Sequence, residues 1–507
     1  MPVQNRSLNW LPPLLLFVAA LAVRLAVVGY WRFDGLYGQD AFAYYEQCIA
    51  IADRMVNGWS ALPPFFWPHG YPVLAALTVL LVGEGPVGPQ LLNTILGSLL
   101  VVVVYFFARD MCRSLDENSE SRLPVAKGGE ACGIIAGGCT AVAGQPVLSS
   151  VVVMSDSTAA FWMALSGWMV WRLFRNPDSW WWLPLAAVAG AVAVITRRAG
   201  VLAVPAVTAI TAMTLGRIRR PVAVSLLALA AVLIVVTPEF LLLESFDGVD
   251  TYLTGWSPIN AIASSFETVQ GIHEYRFPNG FFYAATFWHP VLMPPTLGLF
   301  VILGMVALWK RQRAGLVLLG GWYATAYLFM IGLPQQNLRF CLTLWTPGVI
   351  LVALGVAAAW HRRRRLTAGL LAVSFVVAGA CNIWWLDRFM GRAAEVRAVA
   401  EEVATHLPDG GRVIAFGITG AIDHYTRAEV VELFGLDEQD LARLSDGAAP
   451  TLLVVNRGEI ANRWMGHSPG ANVEWLTRER SLNVISEIGP WSIHRIGRET
   501  AVGGSGQ

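Results

Sequence analysis

Long apolar runs separated by short charged connections set the pattern of this chain. Apolar stretches occupy residues 11–30, 86–108, 131–148, 158–174, 181–196, 201–215, 222–243, 290–308, 316–332, 340–359 and 366–385, eleven candidate membrane spans. A helix of about 20 such residues crosses roughly 30 Å of hydrocarbon. Alternate connections are rich in Arg and Lys: Arg109 to Lys127, Arg172 with Arg175, Arg217-Ile-Arg219-Arg220, Lys310-Arg311 with Arg313, and Arg362 to Arg365. Positive charge is retained on the cytoplasmic side. These connections and the amino terminus are therefore expected inside, and everything after about Asp387 outside. The first run is read as an uncleaved span: it is long, Arg24 interrupts it, and no small-x-small site leads into polar sequence.

Three segments are then long and extracytoplasmic: 31–85, 244–289 and the tail from 387. In the first, Asp40, Tyr44, Gln47 and Arg54 fall on one helical face, and Phe42, Tyr45, Ile49, Ala52 and Val56 on another. That is the pattern of a helix lying in the membrane interface. Pro63-Pro64 ends it, and Trp67-Pro-His69-Gly-Tyr71-Pro72 returns the chain to membrane level. The tail mixes both signs of charge. Its 391–406 stretch reads as an amphipathic helix, 412–417 and 451–455 as buried strands, 437–444 as a helix, and 483–486 with 491–495 as a closing strand pair. A small α/β domain over 387–498 is expected after a transmembrane domain over 1–386, with 499–507 a disordered end.

Composition narrows the class. Of 507 residues, 55% are hydrophobic and only 14% charged, which fits a polytopic α-helical membrane protein of about 11–13 spans. The net charge of +1 comes with no basic cluster interleaved with aromatics, so nucleic acid is not an expected partner. The six Cys are scattered singly, without metal-type spacing. Gly417-Ile-Thr-Gly420 follows the first tail strand but lacks the full glycine fingerprint, so no nucleotide is expected there.

The chemistry-bearing residues gather on the expected outer face. Asp40 reads either as a solvated acid at a helix start or as a general base at the membrane surface. Asp156, in a short connection, reads as a helix cap and equally as an acid pointing into a cavity, and the two roles are compatible. Arg197-Arg198 stand together with no acid nearby in sequence; guanidinium groups take phosphate oxygens through paired donors, the alternative being headgroup snorkelling. Arg339 is a further outward Arg, and His69 a weaker candidate beside Trp67 and Tyr71. Tyr44, Tyr71, Glu244, His273 and Arg276 complete the substrate-pocket candidates. Arg24 is costly in lipid and is expected to face the protein interior.

Asp40-Ala-Phe-Ala-Tyr44-Tyr45, Trp67-Pro-His69-Gly-Tyr71-Pro72, Ser155-Asp156, Thr196-Arg197 and Leu338-Arg339-Phe340, in that order and on that side, resemble the C-type (GT-C) glycosyltransferases. The nearest kin in pattern are the protein mannosyltransferases and the bacterial aminoarabinose transferases of lipid A. The resemblance implies the GT-C fold in the cytoplasmic (inner) membrane and a polyprenyl-phosphate-linked sugar donor. It implies Asp40 as base, Asp156 at the acceptor or metal site, and inversion at the anomeric carbon. Ala41 stands where relatives often carry a second acid, and no Lys lies near His69 as in the aminoarabinose type. No cofactor is required by these residues, and a divalent metal held by Asp40 and Asp156 stays open.

On this reading Arg197, Arg198, Arg339 and His69 hold the donor phosphate and stabilise the charge that develops on it. Asp40 takes the proton of an acceptor hydroxyl. The acceptor is a glycan, a lipid or a protein, and the surrounding partners are membrane lipids. Two other classes compete. A lipid-linked-sugar flippase or other transporter would carry its charges at the midplane and show repeats. A non-catalytic subunit of a glycosylation complex would use the tail for docking.

Overall fold

A computed structural model describes residues 10–58, 61–117, 125–242, 255–293, 295–407, 410–426, 428–447 and 449–497. Glu244 and the expected disordered end lie outside the described residues. The chain divides into two compact units. Met1–Asp34, Gln47–Ile262 and Phe277–Asp387 form the first; Gly35–Glu46, Ala263–Arg276 and Arg388–Gln507 form the second.

The first unit is helical. Its order is α1 (Leu11–Trp31), α2 (Gly38–Asn57, shared with the second unit), α3 (Gly70–Val82), α4 (Val87–Glu117), α5 (Val125–Val142), α6 (Gly144–Ser149), α7 (Asp156–Arg175) and α8 (Trp182–Thr196). A 3-10 turn over Arg198–Ala203 then leads to α9 (Val204–Leu215), α10 (Pro221–Leu242), α11 (Asn279–Ala284), α12 (Pro295–Arg311), α13 (Arg313–Ile331) and α14 (Leu342–His406, whose residues from Arg388 belong to the second unit). Among the described residues seven helical segments are long and apolar enough to cross a membrane. α3 and α8 are apolar but shorter. The chain is an integral membrane protein.

Burial sorts these helices into central and lipid-facing. In the apolar window of α10 only 11% of residues are buried, against 83% in Leu342–Trp360 of α14. Hydrocarbon is as apolar as Leu, so no hydrophobic drive holds helices together here, and close dispersion contact must. Accordingly Val104, Phe107 and Ala108 of α4 and Val349 to Ala353 of α14 are completely buried, while Leu226, Leu229, Leu233 and Ile234 of α10 face outward. Arg24 of α1 is buried as expected, with Nε and Nη1 hydrogen-bonded to its neighbours and Nη2 left without a partner. It donates to Ser150 Oγ at 2.7 Å and to the carbonyls of Ala20 and Ala141 at 3.0 and 3.4 Å.

Several boundaries differ from the apolar pattern, each for a local reason. The 131–148 run is broken at Ala143, whose ψ of 131° is extended, so α5 and α6 are separate helices. The stretch expected only to return at 67–72 starts a further helix, α3. α14 is broken at Arg363 (φ −144°, ψ 54°), inside the Arg362–Arg365 run, and its later part continues without a break through the stretch expected as a separate amphipathic helix. α2 also departs from a purely interfacial helix. Tyr44 and Gln47 of its polar face are 1% and 0% exposed, and Phe42 and Ala52 of its apolar face are buried too.

The second unit carries a five-stranded sheet in the order β4-β3-β5-β7-β6. Its strands are β3 (Arg412–Ala415), β4 (Glu429–Glu432), β5 (Thr451–Asn456), β6 (Ser481–Ile488) and β7 (Trp491–Gly497). β3 lies parallel to β4 and β5, and β7 antiparallel to β5 and β6. The connecting helices are α15 (Thr419–Tyr425), α16 (Glu438–Asp446), α17 (Arg457–Asn462) and α18 (Ser468–Glu479). Ile414, Leu453, Val455, Leu441 and Leu476 form its core. A hairpin of β1 (Ser265–Thr268) and β2 (Gly271–Glu274) adds to this unit, with Ile272 N–H donating to the Arg463 carbonyl at 2.8 Å.

Candidate active site

In the first unit, a cavity of about 220 Å³ opens where α8 gives way to the 3-10 turn. Arg197 and Arg198 supply its polar end, and Trp67, Val201, Leu202, Phe329, Leu333 and Phe340 supply apolar wall. The turn follows from local backbone. α8 ends where Arg197 adopts an extended conformation (φ −155°, ψ 126°), which swings two successive guanidinium groups off the helix axis. Close packing brings the α3 segment to this point: a Cβ at Gly70 would lie 2.6 Å from the Ile195 carbonyl oxygen, so no larger residue fits there.

Asp156 is the first residue of α7, 3% exposed. It pairs with Arg197, Oδ1 to Nη1 at 3.1 Å. Neither carboxylate oxygen has an aligned hydrogen bond, so the contact is an ion pair without the directed geometry of a full bridge. Helix capping does not account for the residue, because its oxygens accept from no backbone N–H; its negative charge at the helix start is still favourable there. Arg197 also donates to Ser155 Oγ at 3.4 Å and lies 5.7 Å from the Phe340 ring. Arg198 donates to the Phe66 carbonyl at 3.1 Å and lies 5.4 Å from that residue's ring. Arg339 reaches the same neighbourhood through Met154, whose sulfur accepts from Nη1 at 3.1 Å.

The loop carrying Asp156 is held from below by α4. Asn93 Nδ2 reaches Tyr71 Oη at 3.0 Å and the carbonyls of Val152 and Met154 at 2.6 and 2.8 Å, while its Oδ1 accepts from Thr158 at 2.8 Å. Gln90 donates to the Val151 carbonyl at 3.0 Å. Tyr71 is thus tied to the Asp156 loop and is completely buried. His69 sits one residue past the cavity-lining Trp67-Pro68. Its backbone N–H donates to both carboxylate oxygens of Glu239, at 3.1 and 2.9 Å, and its Nδ1 stands 3.6 Å from Glu239 Oε1.

Asp156, Arg197, Arg198, Arg339, Tyr71 and His69 are therefore gathered around one cavity or held directly beside it. Asp40, His273 and Arg276 belong to the second unit. Asp40 is half-buried in the first turn of α2. His273 stacks near Tyr275 and faces Arg463, Nε2 to Nη2 at 3.4 Å. Burial, and then the Arg463 charge, lowers its pKa from the usual 6.5 to about 4. Arg276 follows β2 and is exposed.

Three polar residues of the first unit are absent from the sequence candidates, Glu239 and Asn93 beside this cavity and Gln47 in α2. Glu239 carried a signal, a carboxylate next to Pro238 inside an otherwise apolar span, and intramembrane acids mark function by default. Asn93 and Gln47 gave only the weak signal of single amides. Gln47 is fully buried with neither amide atom hydrogen-bonded, as is the Thr196 hydroxyl beside Arg197. Buried polar atoms in native folds almost always find partners, which sets these groups apart. Among the described residues no group of three or more His, Cys, Asp or Glu is placed to hold a metal ion. Asp156 already faces Arg197.

No protein-family model and no curated protein sequence matches the chain. Solved structures do. ArnT from Cupriavidus metallidurans in the apo state superposes with a TM-score of 0.64 at 14% identity, covering 95% of this chain and 97% of that one. The same protein bound to undecaprenyl phosphate gives 0.62 at 14% identity, with 97% and 98% covered. The oligosaccharyltransferase AglB from Archaeoglobus fulgidus, in complex with an inhibitory peptide and a dolichol-phosphate, gives 0.56 at 11% identity, with 96% and 74% covered. At such identities the likeness is one of architecture, and the architecture of this chain is the GT-C type.

Proposed function

We propose that this chain is a membrane glycosyltransferase that moves a sugar from a polyprenyl-phosphate-linked donor to an acceptor hydroxyl at the extracytoplasmic face. The observation that carries the reading is the amphipathic cavity, with two adjacent Arg at one end and a continuous apolar wall beside them. A phosphate joined to a hydrocarbon chain needs both. Guanidinium forks suit its oxygens, and the apolar wall suits the first isoprene units. Two of the similar solved structures, ArnT and AglB, were determined with undecaprenyl phosphate and dolichol-phosphate respectively.

In the reaction, the acceptor oxygen forms a bond to the anomeric carbon as the bond from that carbon to the phosphate oxygen breaks. The electron pair leaves with the polyprenyl phosphate, whose growing charge Arg197 and Arg198 stabilise. The acceptor proton passes to Asp40. One displacement with one base inverts the anomeric configuration. Asp156 holds Arg197 at its station and, with the unpartnered Thr196 hydroxyl, offers polar groups to the bound sugar or acceptor.

Purified protein supplied with a polyprenyl-phosphate sugar and an acceptor should release one free polyprenyl phosphate for each sugar transferred. A transporter or an accessory subunit would release none. Replacing Asp40 by Asn should slow transfer by about 10²- to 10⁴-fold, the usual contribution of a positioned general base. Full activity in that variant would remove Asp40 from its role.

A further inference from the structure

Asp40 is preceded by Gln39, and Gln39 is gripped by the tail. Its Oε1 accepts from the backbone N–H of Gly420 at 3.0 Å. Its Nε2 donates to the Thr419 hydroxyl and lies 3.4 Å from Glu432 Oε2. Thr419 in turn donates to the same Glu432 oxygen at 2.9 Å. One amide side chain thus uses its acceptor and its donor against three residues some 380 positions later in the sequence. The grip extends beyond Gln39. Phe42 packs against His424 and Tyr425, with centroids 5.7 and 6.0 Å apart, Tyr45 packs against His424 at 5.3 Å, and Tyr37 against Phe389 at 4.7 Å.

The fit leaves no spare room. A Cβ at Gly420 would stand 2.8 Å from Phe42 Cβ and 3.1 Å from Gln39 Oε1. The Gly417-Ile-Thr-Gly420 turn, where no nucleotide is expected from the sequence, presents the Gly420 N–H to the chain's own first loop. Residues 35–46 accordingly belong to the same compact unit as 388–507.

We infer that the tail unit is a positioning device for the base: Gln39, latched to Gly420, Thr419 and Glu432, fixes the first turn of α2 and with it Asp40. This rests on the reading of Asp40 given above. A base must be held within hydrogen-bond reach of the proton it takes, and misplacement by about 1 Å can cost 10²-fold in rate. Gln39 is a positioning residue rather than a catalytic one, since it acts through its neighbour.

The test uses the full-length protein in detergent or lipid, with the transfer assay and hydrogen exchange read side by side. Gln39→Ala should lower kcat about tenfold or more, leave the KM for the lipid donor within twofold, and speed amide exchange over 38–42. Gly420→Val should do the same from the far side of the latch. The paired exchange Gln39→Glu with Glu432→Gln swaps donor and acceptor roles and should restore most of the rate that Gln39→Glu alone loses. That rescue also separates the latch from simple unfolding of the tail. Wild-type kcat in Gln39→Ala, with Asp40→Asn inactive, would overturn this inference and leave the proposed function standing. Full activity in Asp40→Asn would overturn both, at the base itself.

Discussion

Helix α7 carries a buried charge cluster at each end, and the two are built differently. At its last turn Asp110 takes Arg109 at 3.0 Å, Arg172 at 3.2 Å and the Trp168 indole at 3.1 Å. Glu130 alongside takes Arg113 at 2.8 Å and the Tyr105 hydroxyl. At its first residue, about 24 Å away at 1.5 Å per residue, Asp156 is more deeply buried yet has one Arg partner and no aligned hydrogen bond. A saturated carboxylate locks helices together. An undersaturated one, buried more deeply still, has bonding capacity that its own fold does not use. On the proposed function that difference marks the Asp110 end as a joint and the Asp156 end as a site, although both show the same residue types.

Exchanging Asp156 for Asn should break that contrast most visibly. The variant keeps the volume and loses the charge that holds Arg197. A kcat loss of about 10³-fold, near 4 kcal/mol in the barrier, is expected with little change in thermal unfolding in detergent. Asp110→Asn should behave in the opposite way. It leaves buried Arg109 with only the more distant Glu130, 3.9 Å away, costing about 3 kcal/mol of stability, seen as earlier thermal unfolding, with kcat of the folded fraction unchanged. Were Asp156→Asn to unfold early and keep its turnover, the two ends would be alike and the site reading of Asp156 would fail.

A smaller effect sharpens the phosphate end. Arg198→Ala should raise the KM for the lipid donor about tenfold, some 1.4 kcal/mol, with kcat within twofold. Arg172→Ala, at the other end of α7, should leave the donor KM where it was. Arg198 is the cleaner probe than Arg197, whose removal also strands buried Asp156. Equal donor KM values in Arg198→Ala and wild type would argue against phosphate at this cavity.

The membrane class and the apolar elements were legible because lipid imposes one rule along the whole chain, and charge at helix ends follows from it. Arg197-Arg198 and Asp156 stood out as candidates because charge in an apolar setting has to be explained, and the fold does bring Arg197 and Asp156 together. What stayed hidden is pairing. Nothing local in Val-Thr-Pro-Glu239 says that the carboxylate accepts from the His69 backbone, and Asn93 reads as one polar residue in an apolar helix although it organises the 152–158 loop. Gln39 is the extreme case. Its partners lie in a segment that reads as a separate domain, and neither stretch alone carries a trace of the other. Periodicity reports what an element faces in general, whereas a latch depends on which residue it meets.

The smallest expected effect concerns the hairpin, and it bears on whether His273 is joint or site. His273 takes its proton only near pH 4 in the folded chain, against 6.5 for an ordinary His, because burial and then Arg463 disfavour the charged form. Between those values the unfolded chain binds more protons than the folded one, so acid draws the equilibrium toward unfolding. The contribution of His273 is complete above about 6.5 and is lost as pH falls through about 4. The ring is only half-buried, so solvent screening keeps the effect modest. Thermal unfolding of the wild type followed from pH 7 to pH 4 should therefore decline more steeply than that of His273→Gln, which keeps an acceptor for Arg463 but does not titrate. Parallel declines, with transfer lost in the variant at neutral pH, would move His273 from the hairpin joint to the substrate pocket.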